Sequence, residues 1–169
     1  EQRLLGEHGH ILRETVQFHW RNRGWADFEA YLDSMRGKRR REIRRERRRL
    51  ADDGCRVEMM AGRDLGAVER AAIDRFYRDT TARKWGQAYL SETFFPILRE
   101  RFSEAVRFAA ARRGEELVGG ALLFERGDAL YGRYWGCDGS YPHLHFEACF
   151  YAPIAYCIER GLTLYEAGA

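Results

Sequence analysis

Three strand-length runs in close succession, Ala105–Ala111, Leu117–Glu125 and Ala129–Trp135, constrain the fold of this chain more than any other feature. Only Arg113-Gly-Glu-Glu and Arg126-Gly-Asp separate them. Connections that short join antiparallel neighbours, because a parallel return needs a crossover of a dozen residues or more. The pattern therefore predicts a three-stranded meander. Gly119-Gly120, inside the second run, predicts a bulge or a close approach of backbone. A loop over 137–145 then leads to an apolar helix over about 146–160. Gly161 ends that helix, and Pro153 inside it predicts a kink or a delayed start. Leu162–Glu166 is a last strand, reached through a helical crossover, which makes the sheet mixed.

Upstream, Val57-Glu-Met-Met60 reads as a short strand. Asp64 is placed to cap an amphipathic helix carrying Leu65, Val68, Ala72, Ile73, Phe76 and Tyr77 at helical spacing. Thr80–Gly86 reads as a loop. A second helix near 92–102 follows, with Ser91 as candidate cap and Pro96 near its first turn. From residue 57 the order is β-α-α-β-β-β-α-β. Before it, Thr15–Trp20 alternates like a strand, and Gly6, Gly9 and Gly24 punctuate that region. Residues 26–51 read as helix, with Asp27 as N-cap and Gly37 as a break.

That helix holds a basic run. Residues 38–49 carry nine Lys/Arg against Glu42 and Glu46, a net of +7 in a chain whose total is +3. The remainder is therefore mildly acidic, at −4. Two glutamates for nine cations leave most of them unpaired, and an anionic partner is expected: RNA phosphates, a membrane surface or acidic wall material. Lys38, Arg39, Arg40, Arg44 and Arg45 are the candidate anion-binding residues. No aromatic residue interleaves with them, so base reading is not expected.

The chain's 169 residues suit one good-sized core. No apolar run approaches the ~20 residues that span a bilayer. Cys55, Cys137, Cys149 and Cys157 show no CxxC spacing and read as small buried hydrophobes of a reducing cytoplasm. Glu1 at the start and Glu166-Ala-Gly-Ala169 at the end are expected to be cuts within a longer protein.

Chemistry concentrates where Tyr131-Gly-Arg-Tyr-Trp-Gly136 runs into Leu144-His-Phe-Glu-Ala-Cys-Phe-Tyr151. Arg133, His145 and Glu147 meet there, at the start of a helix whose free N–H groups favour anions. Glu147 is the first candidate general base, its alternative being to complement the helix N-terminus. Glu166 is the second, its alternative being a partner for Arg133. His145 is placed to orient Glu147 or to stabilise an oxyanion, and equally to cap or pack. His143-x-His145 lacks a third ligand, so no metal is expected. Strict alternation puts Tyr131, Arg133 and Trp135 on one strand face, suited to a carboxylate or phosphate. Trp85 lines a cleft or anchors its loop. Gly136 and Gly139 allow close approach to the backbone.

The element order resembles the Gcn5-related N-acetyltransferase (GNAT) fold: a mixed, mostly antiparallel α/β sheet flanked by helices. Lys38–Arg48, Arg83-Lys-Trp-Gly86 with Tyr89-Leu90 and Phe94-Phe95, Tyr131–Gly136, Leu144–Cys149 and Glu166–Ala169 narrow this. Together they resemble the FemAB-like predicted N-acyltransferases, bacterial proteins of peptidoglycan biosynthesis or recognition. The resemblance runs from about Phe18 to the end. It implies two GNAT-like units, with residues 1–56 the tail of the first plus a linking helix, and 57–169 most of the second. It also implies a Gln-Gly-Glu-His-Lys continuation that this chain lacks, so the last strand is expected to be short of cover. Phe150 and Ala152 stand where Tyr and Gln are expected.

The resemblance implies a cytoplasmic N-acyltransferase that moves an acyl or aminoacyl group from acyl-CoA or aminoacyl-tRNA onto an amine, such as that of a peptidoglycan precursor. The strands at 129–136 and 162–167 would part to admit the donor's arm. The alternative is a GNAT-like module that binds RNA or peptidoglycan precursors without catalysis.

Overall fold

A computed structural model describes residues 11, 16–86, 88–91 and 93–168, with Lys84 and Trp85 described in backbone only. Its sheet has six strands: β1 (His19–Arg21), β2 (Cys55–Ala61), β3 (Val106–Arg113), β4 (Glu116–Arg126), β5 (Ala129–Cys137) and β6 (Leu164–Glu166). Their spatial order is β1-β6-β5-β4-β3-β2. All neighbours are antiparallel except β5 and β6. The expected meander is β3-β4-β5, and the order from residue 57 is the expected one. β1 pairs along β6, so the edge expected to lack cover is occupied. The strand anticipated over Thr15–Trp20 begins only at His19, and Gly6, Gly9 and Thr15 lie outside the described residues.

Helices fill both faces. On one lie α3 (Ala67–Trp85) and α4 (Phe94–Phe102), through Ile73, Phe76 and Leu98 against Phe108 and Leu122. On the other lie α1 (Phe28–Asp33), α2 (Gly37–Asp52) and a helix over 144–160, here α5. Phe28, Leu32, Ile43, Ile154 and Cys157 pack there with Ala109, Ala121 and Leu123. Among the described residues no helix is long and apolar enough to cross a membrane.

Local chemistry sets the boundaries. Asp27 caps α1 as expected, its Oδ1 accepting from the Ala30 N–H at 2.7 Å. Gly37 starts α2. Asp64 does not cap α3. It ends a 3-10 turn, and α3 starts at Ala67 because the Glu69 carboxylate reaches back to the Gly66 N–H. The expected loop at Thr80–Gly86 is helical through Trp85. Its hydroxyls have partners: Thr81 Oγ1 donates to Tyr77 O, and Thr80 Oγ1 to Trp135 O, each at 2.9 Å. Ser91 makes no cap for α4. Its hydroxyl pairs with that of Thr93 instead.

Both glycine expectations in β4 hold. Val118 is an extra residue in the β3–β4 pairing, where Ala111 faces Gly119 and Arg112 faces Leu117. A Cβ on Gly120 would sit 2.2 Å from the Phe108 ring, so only glycine lets that ring lie on the sheet. Of the kink or delayed start expected from Pro153, the structure shows the delay: a turn over Leu144–Phe146 and a π-turn over Glu147–Tyr151 come first, and the regular α-helix begins at Ala152 with Pro153 in its first turn. Pro153 has no N–H for the Cys149 carbonyl, and the Tyr165 hydroxyl donates to that oxygen instead. Gly161 ends α5 in the left-handed region, at φ 67°.

Candidate functional site

A groove of about 330 Å³ opens beside β5. Its origin is a second bulge. Leu122 pairs with Tyr134 and Leu123 with Gly132, so Arg133 is an extra residue that the β4 ladder does not match. On the other side, pairing with β6 stops at Tyr131–Glu166. The chain after β6 passes over Gly132, where a Cβ would meet Ala167 O at 2.7 Å. Beyond that point no strand among the described residues lies beside β5 on this side, and the groove follows its edge. The walls come from both faces of the sheet: Tyr77, Thr80 and Thr81 of α3, and His145, Cys149 and Phe150 of α5. Ala167 and Gly168 close one end.

The bulge corrects the expected alternation. Tyr131 and Tyr134 share the α3 face, opposite Phe124 and Leu122, whereas Trp135 lies with Gly132 and Ala121 on the α5 face. Arg133 stands between them with its guanidinium 5.9 Å from the Tyr131 ring centre. Arg133 and Trp135 do line the groove, and so does His145, whose ring meets Trp135 edge-on at 5.6 Å. Glu166 lies next to the groove rather than in it. Its carboxylate accepts from Arg133 Nη1 at 3.3 Å and lies 3.6 Å from His19 Nε2.

Glu147 faces elsewhere. Its side chain is only 8% exposed and holds Arg47 of α2 in a two-pronged pair, with Nε–Oε2 and Nη2–Oε1 both 2.9 Å. The Arg47 guanidinium also lies 4.8 Å over the Phe28 ring. A carboxylate gripped in this way has its lone pairs committed, which is an anchoring geometry rather than that of a free base. Tyr151, one turn on, donates to Glu46 at 2.6 Å. The π-turn thus ties α5 to α2 by one set of side chains and walls the groove with another.

Gly136 is turned to α3, where a Cβ would lie 2.5 Å from Phe76 O. Its lack of a side chain serves helix-on-strand packing. Gly139 sits beside the Tyr141 ring, and its carbonyl accepts from Cys137 Sγ. The start of α5 shares a shallow recess with Arg49 and His143, but also with Asp52 and Asp53, so its charge is mixed. The Trp85 side chain lies outside the described residues.

The basic helix is less bare than the count suggested. Arg39 pairs with Glu42 at 2.9 Å, Arg40 with Asp33 at 3.4 Å, and Arg44 with Glu29 at 2.6 Å. Three candidate anion-binding residues are therefore matched by acids, two of them by acids of α1. Lys38, Arg41, Arg45 and Arg48 are exposed and make no ion pair among the described residues. Their spacing of three, four and three puts them in one row, opposite the buried Ile43 and Leu50.

Several groove groups escaped the sequence reading. Tyr134 stands inside the quoted motif, but simple alternation sets it apart from Tyr131, whose face it shares. Burial first, then the Tyr89 hydroxyl beside it, pushes its phenol well above the usual range. Tyr165 is pushed up likewise by burial. Burial raises the Cys149 thiol to about 12, so it stays protonated at neutral pH and is no nucleophile. Tyr77 and Thr80 belong to a helical stretch whose amphipathic spacing marked them only as core or loop.

The fold is similar to that of L-PGS from Bacillus licheniformis, with a TM-score of 0.59 at 16% identity, over 81% of this chain and 44% of that one. It is also similar to the C-terminal domain (DUF2156) of a protein assigned as a lysylphosphatidylglycerol synthetase from Agrobacterium fabrum. There the TM-score is 0.62 at 14% identity, over 84% of this chain and 44% of that one. This chain therefore spans less than half the length of either, and identities this low establish a likeness of fold alone. An aminoglycoside acetyltransferase from an uncultured soil metagenomic sample aligns more loosely, with a TM-score of 0.46 at 17% identity, over 66% of this chain and 74% of that one. No curated protein matches the chain in sequence. A family model does match, over residues 1–169. The chain belongs to the FemAB-like family, described as peptidoglycan biosynthesis/recognition.

Proposed function

We propose that this chain is an N-acyltransferase domain that moves an acyl or aminoacyl group from a thioester or a tRNA ester onto an amine. A peptidoglycan precursor is the acceptor class that the family description favours. One observation carries the proposal: the Arg133 bulge and the early end of β6 leave a groove along an unpaired strand edge. An extended donor arm can lie there as an added strand, holding its carbonyl in place. The residue extruded by a bulge leaves backbone N–H groups outside the ladder, where they can face a developing oxyanion.

The acceptor nitrogen attacks the donor carbonyl carbon, forming C–N and releasing the thiol or hydroxyl by C–S or C–O cleavage. The attacking amine must lose a proton. Among the expected catalytic residues, His145 stands in the groove and takes that role. Arg133 binds an anionic group of either substrate, and Glu166 sets its orientation. Glu147 anchors α5 to the basic helix through Arg47. The free row Lys38, Arg41, Arg45 and Arg48 meets an anionic partner, which fits an aminoacyl-tRNA donor. The mixed charge at the start of α5 gives no particular preference to a CoA pyrophosphate.

The test is transfer by the whole chain to an amine-bearing muropeptide, with acetyl-CoA and aminoacyl-tRNA as separate donors, read by mass spectrometry. An acylated product is expected, reduced about 100-fold in His145→Ala with the circular dichroism spectrum unchanged. No product from either donor, alongside retained tRNA or muropeptide binding, would establish the non-catalytic module instead.

A further inference from the structure

A second cavity, of about 290 Å³, opens between α3 and α4 on the sheet. Among the described residues, none lines both this cavity and the groove. Its interior is apolar. Leu65, Ile73 of α3, Leu98 of α4, Val106 of β3 and Leu122 of β4 line it, each at most 8% exposed. One end is closed by the chain itself, where a Cβ on Gly62 would lie 2.5 Å from Ser103 O. Ala71, Pro96 and Arg99 also line the cavity but are exposed, so they mark its mouth.

Charge is confined to the rim, where Arg70, Asp74 and Arg99 stand. Both oxygens of the Asp74 carboxylate accept from Arg78 Nε, at 2.9 and 3.0 Å, so its charge is answered on its own helix. Arg70 donates to the Leu65 carbonyl. Neither Arg70 nor Arg99 makes an ion pair among the described residues. Two guanidinium groups without acids thus border an apolar cavity. We propose that this cavity binds a single alkyl chain of medium length that ends in a carboxylate, with the chain inside and the carboxylate between Arg70 and Arg99. The guanidinium fork matches a carboxylate, and the apolar lining takes the chain out of water. Small-molecule pockets run from about 300 to about 1,000 Å³. This cavity lies at the small end, which suits one chain and not a two-chain lipid. Asp74 beside the mouth disfavours a doubly charged head such as a phosphate monoester. The site stands independently of the transferase reading.

The test is calorimetric titration of the whole chain with decanoate, octanoate and decylamine. Saturable binding of decanoate is expected. Octanoate, two methylenes shorter, should bind about 15-fold more weakly, because each buried methylene contributes about fourfold. Decylamine, with the same chain and the opposite charge, should bind at least about tenfold more weakly than decanoate. Arg70→Gln and Arg99→Gln should each weaken decanoate about tenfold and leave decylamine unchanged. Arg101→Gln, on the same helix but outside the cavity lining, should change neither. Ala71→Trp fills the mouth from an exposed helix position and should abolish decanoate binding at an unchanged melting temperature. Decylamine binding as tightly as decanoate, or decanoate binding that survives Ala71→Trp, would overturn the proposal. So would capture by phosphatidylglycerol vesicles that Ala71→Trp abolishes, in a chain that does not bind decanoate, since the occupant would then be a membrane lipid.

Discussion

At the scale of single residues, one inserted position decides the site. Arg133 in the β5 bulge is why Tyr134 shares the face of Tyr131 and Trp135 that of Gly132. Composition marked the motif as chemical: an Arg among aromatics, followed by His145. It could not show which neighbours share a face, because one extra residue reverses every assignment after it. The buried thiols supply a pH test. Burial holds Cys149 and Cys157 up at about 12, above the roughly 8.5 of a free thiol. Folding favours the neutral thiols, so their contribution is complete below the unfolded value and is lost as pH rises toward 12. Urea midpoints should fall from about pH 8.5 upward, by up to about 1.4 kcal/mol per pH unit for each thiol. Cys149→Ala should flatten that slope and leave transfer intact. A steep loss of transfer in this variant would make the thiol a reactant.

At the scale of elements, ends with local chemistry were legible, and those set by tertiary partners were not. Asp27 and Gly161 carry their own caps. The start of α3 depends on Glu69 folding back on Gly66, while Arg112 of β3 also holds its carboxylate. Burial alone would raise the Glu69 carboxyl, but its own backbone N–H, Arg112 and the Gly66 N–H together hold it below the usual range. The π-turn was announced by Pro153 but needed Tyr165, from another strand, to satisfy Cys149 O. Tyr165→Phe should therefore cost about 1–3 kcal/mol by chemical denaturation, the penalty for a buried carbonyl left without a donor. Arg47→Met strands the buried Glu147 carboxylate and should cost about 3 kcal/mol. Arg44→Gln breaks exposed pairs to Glu29 and Asp33 and should cost less than about 1 kcal/mol. Equal costs for the two arginines would mean that the Glu147 pair is no anchor.

At the scale of the whole molecule, the sheet order and the charge map work together. The sequence showed the +7 run, but not which cations remain free, because the acids that match Arg40, Arg44 and Arg47 lie on other elements. The free row is Lys38, Arg41, Arg45 and Arg48. Charge reversal at Arg41, Arg45 and Arg48 should abolish tRNA binding while leaving the melting temperature nearly unchanged. Single Arg→Gln changes there should each reduce the salt slope by about 0.7–0.9, as expected for the loss of one phosphate contact. Slopes that do not change would place the anionic partner elsewhere. β1 was legible in part: the alternation over Thr15–Trp20 marked a strand, which runs over His19–Arg21, but not that it occupies the outer edge of β6. The open stretch lies on the inner side, along β5 beyond Gly132.

The central claim is that a donor arm pairs with that stretch. Hydrogen–deuterium exchange of the whole chain, with and without saturating acyl-CoA or aminoacyl-tRNA, reads it directly. Slowed exchange at the amides of 132–135, with the β3–β4 hairpin unchanged, is the expected result. Donor binding that protects α2 or α4 and leaves 132–135 unaffected would contradict it.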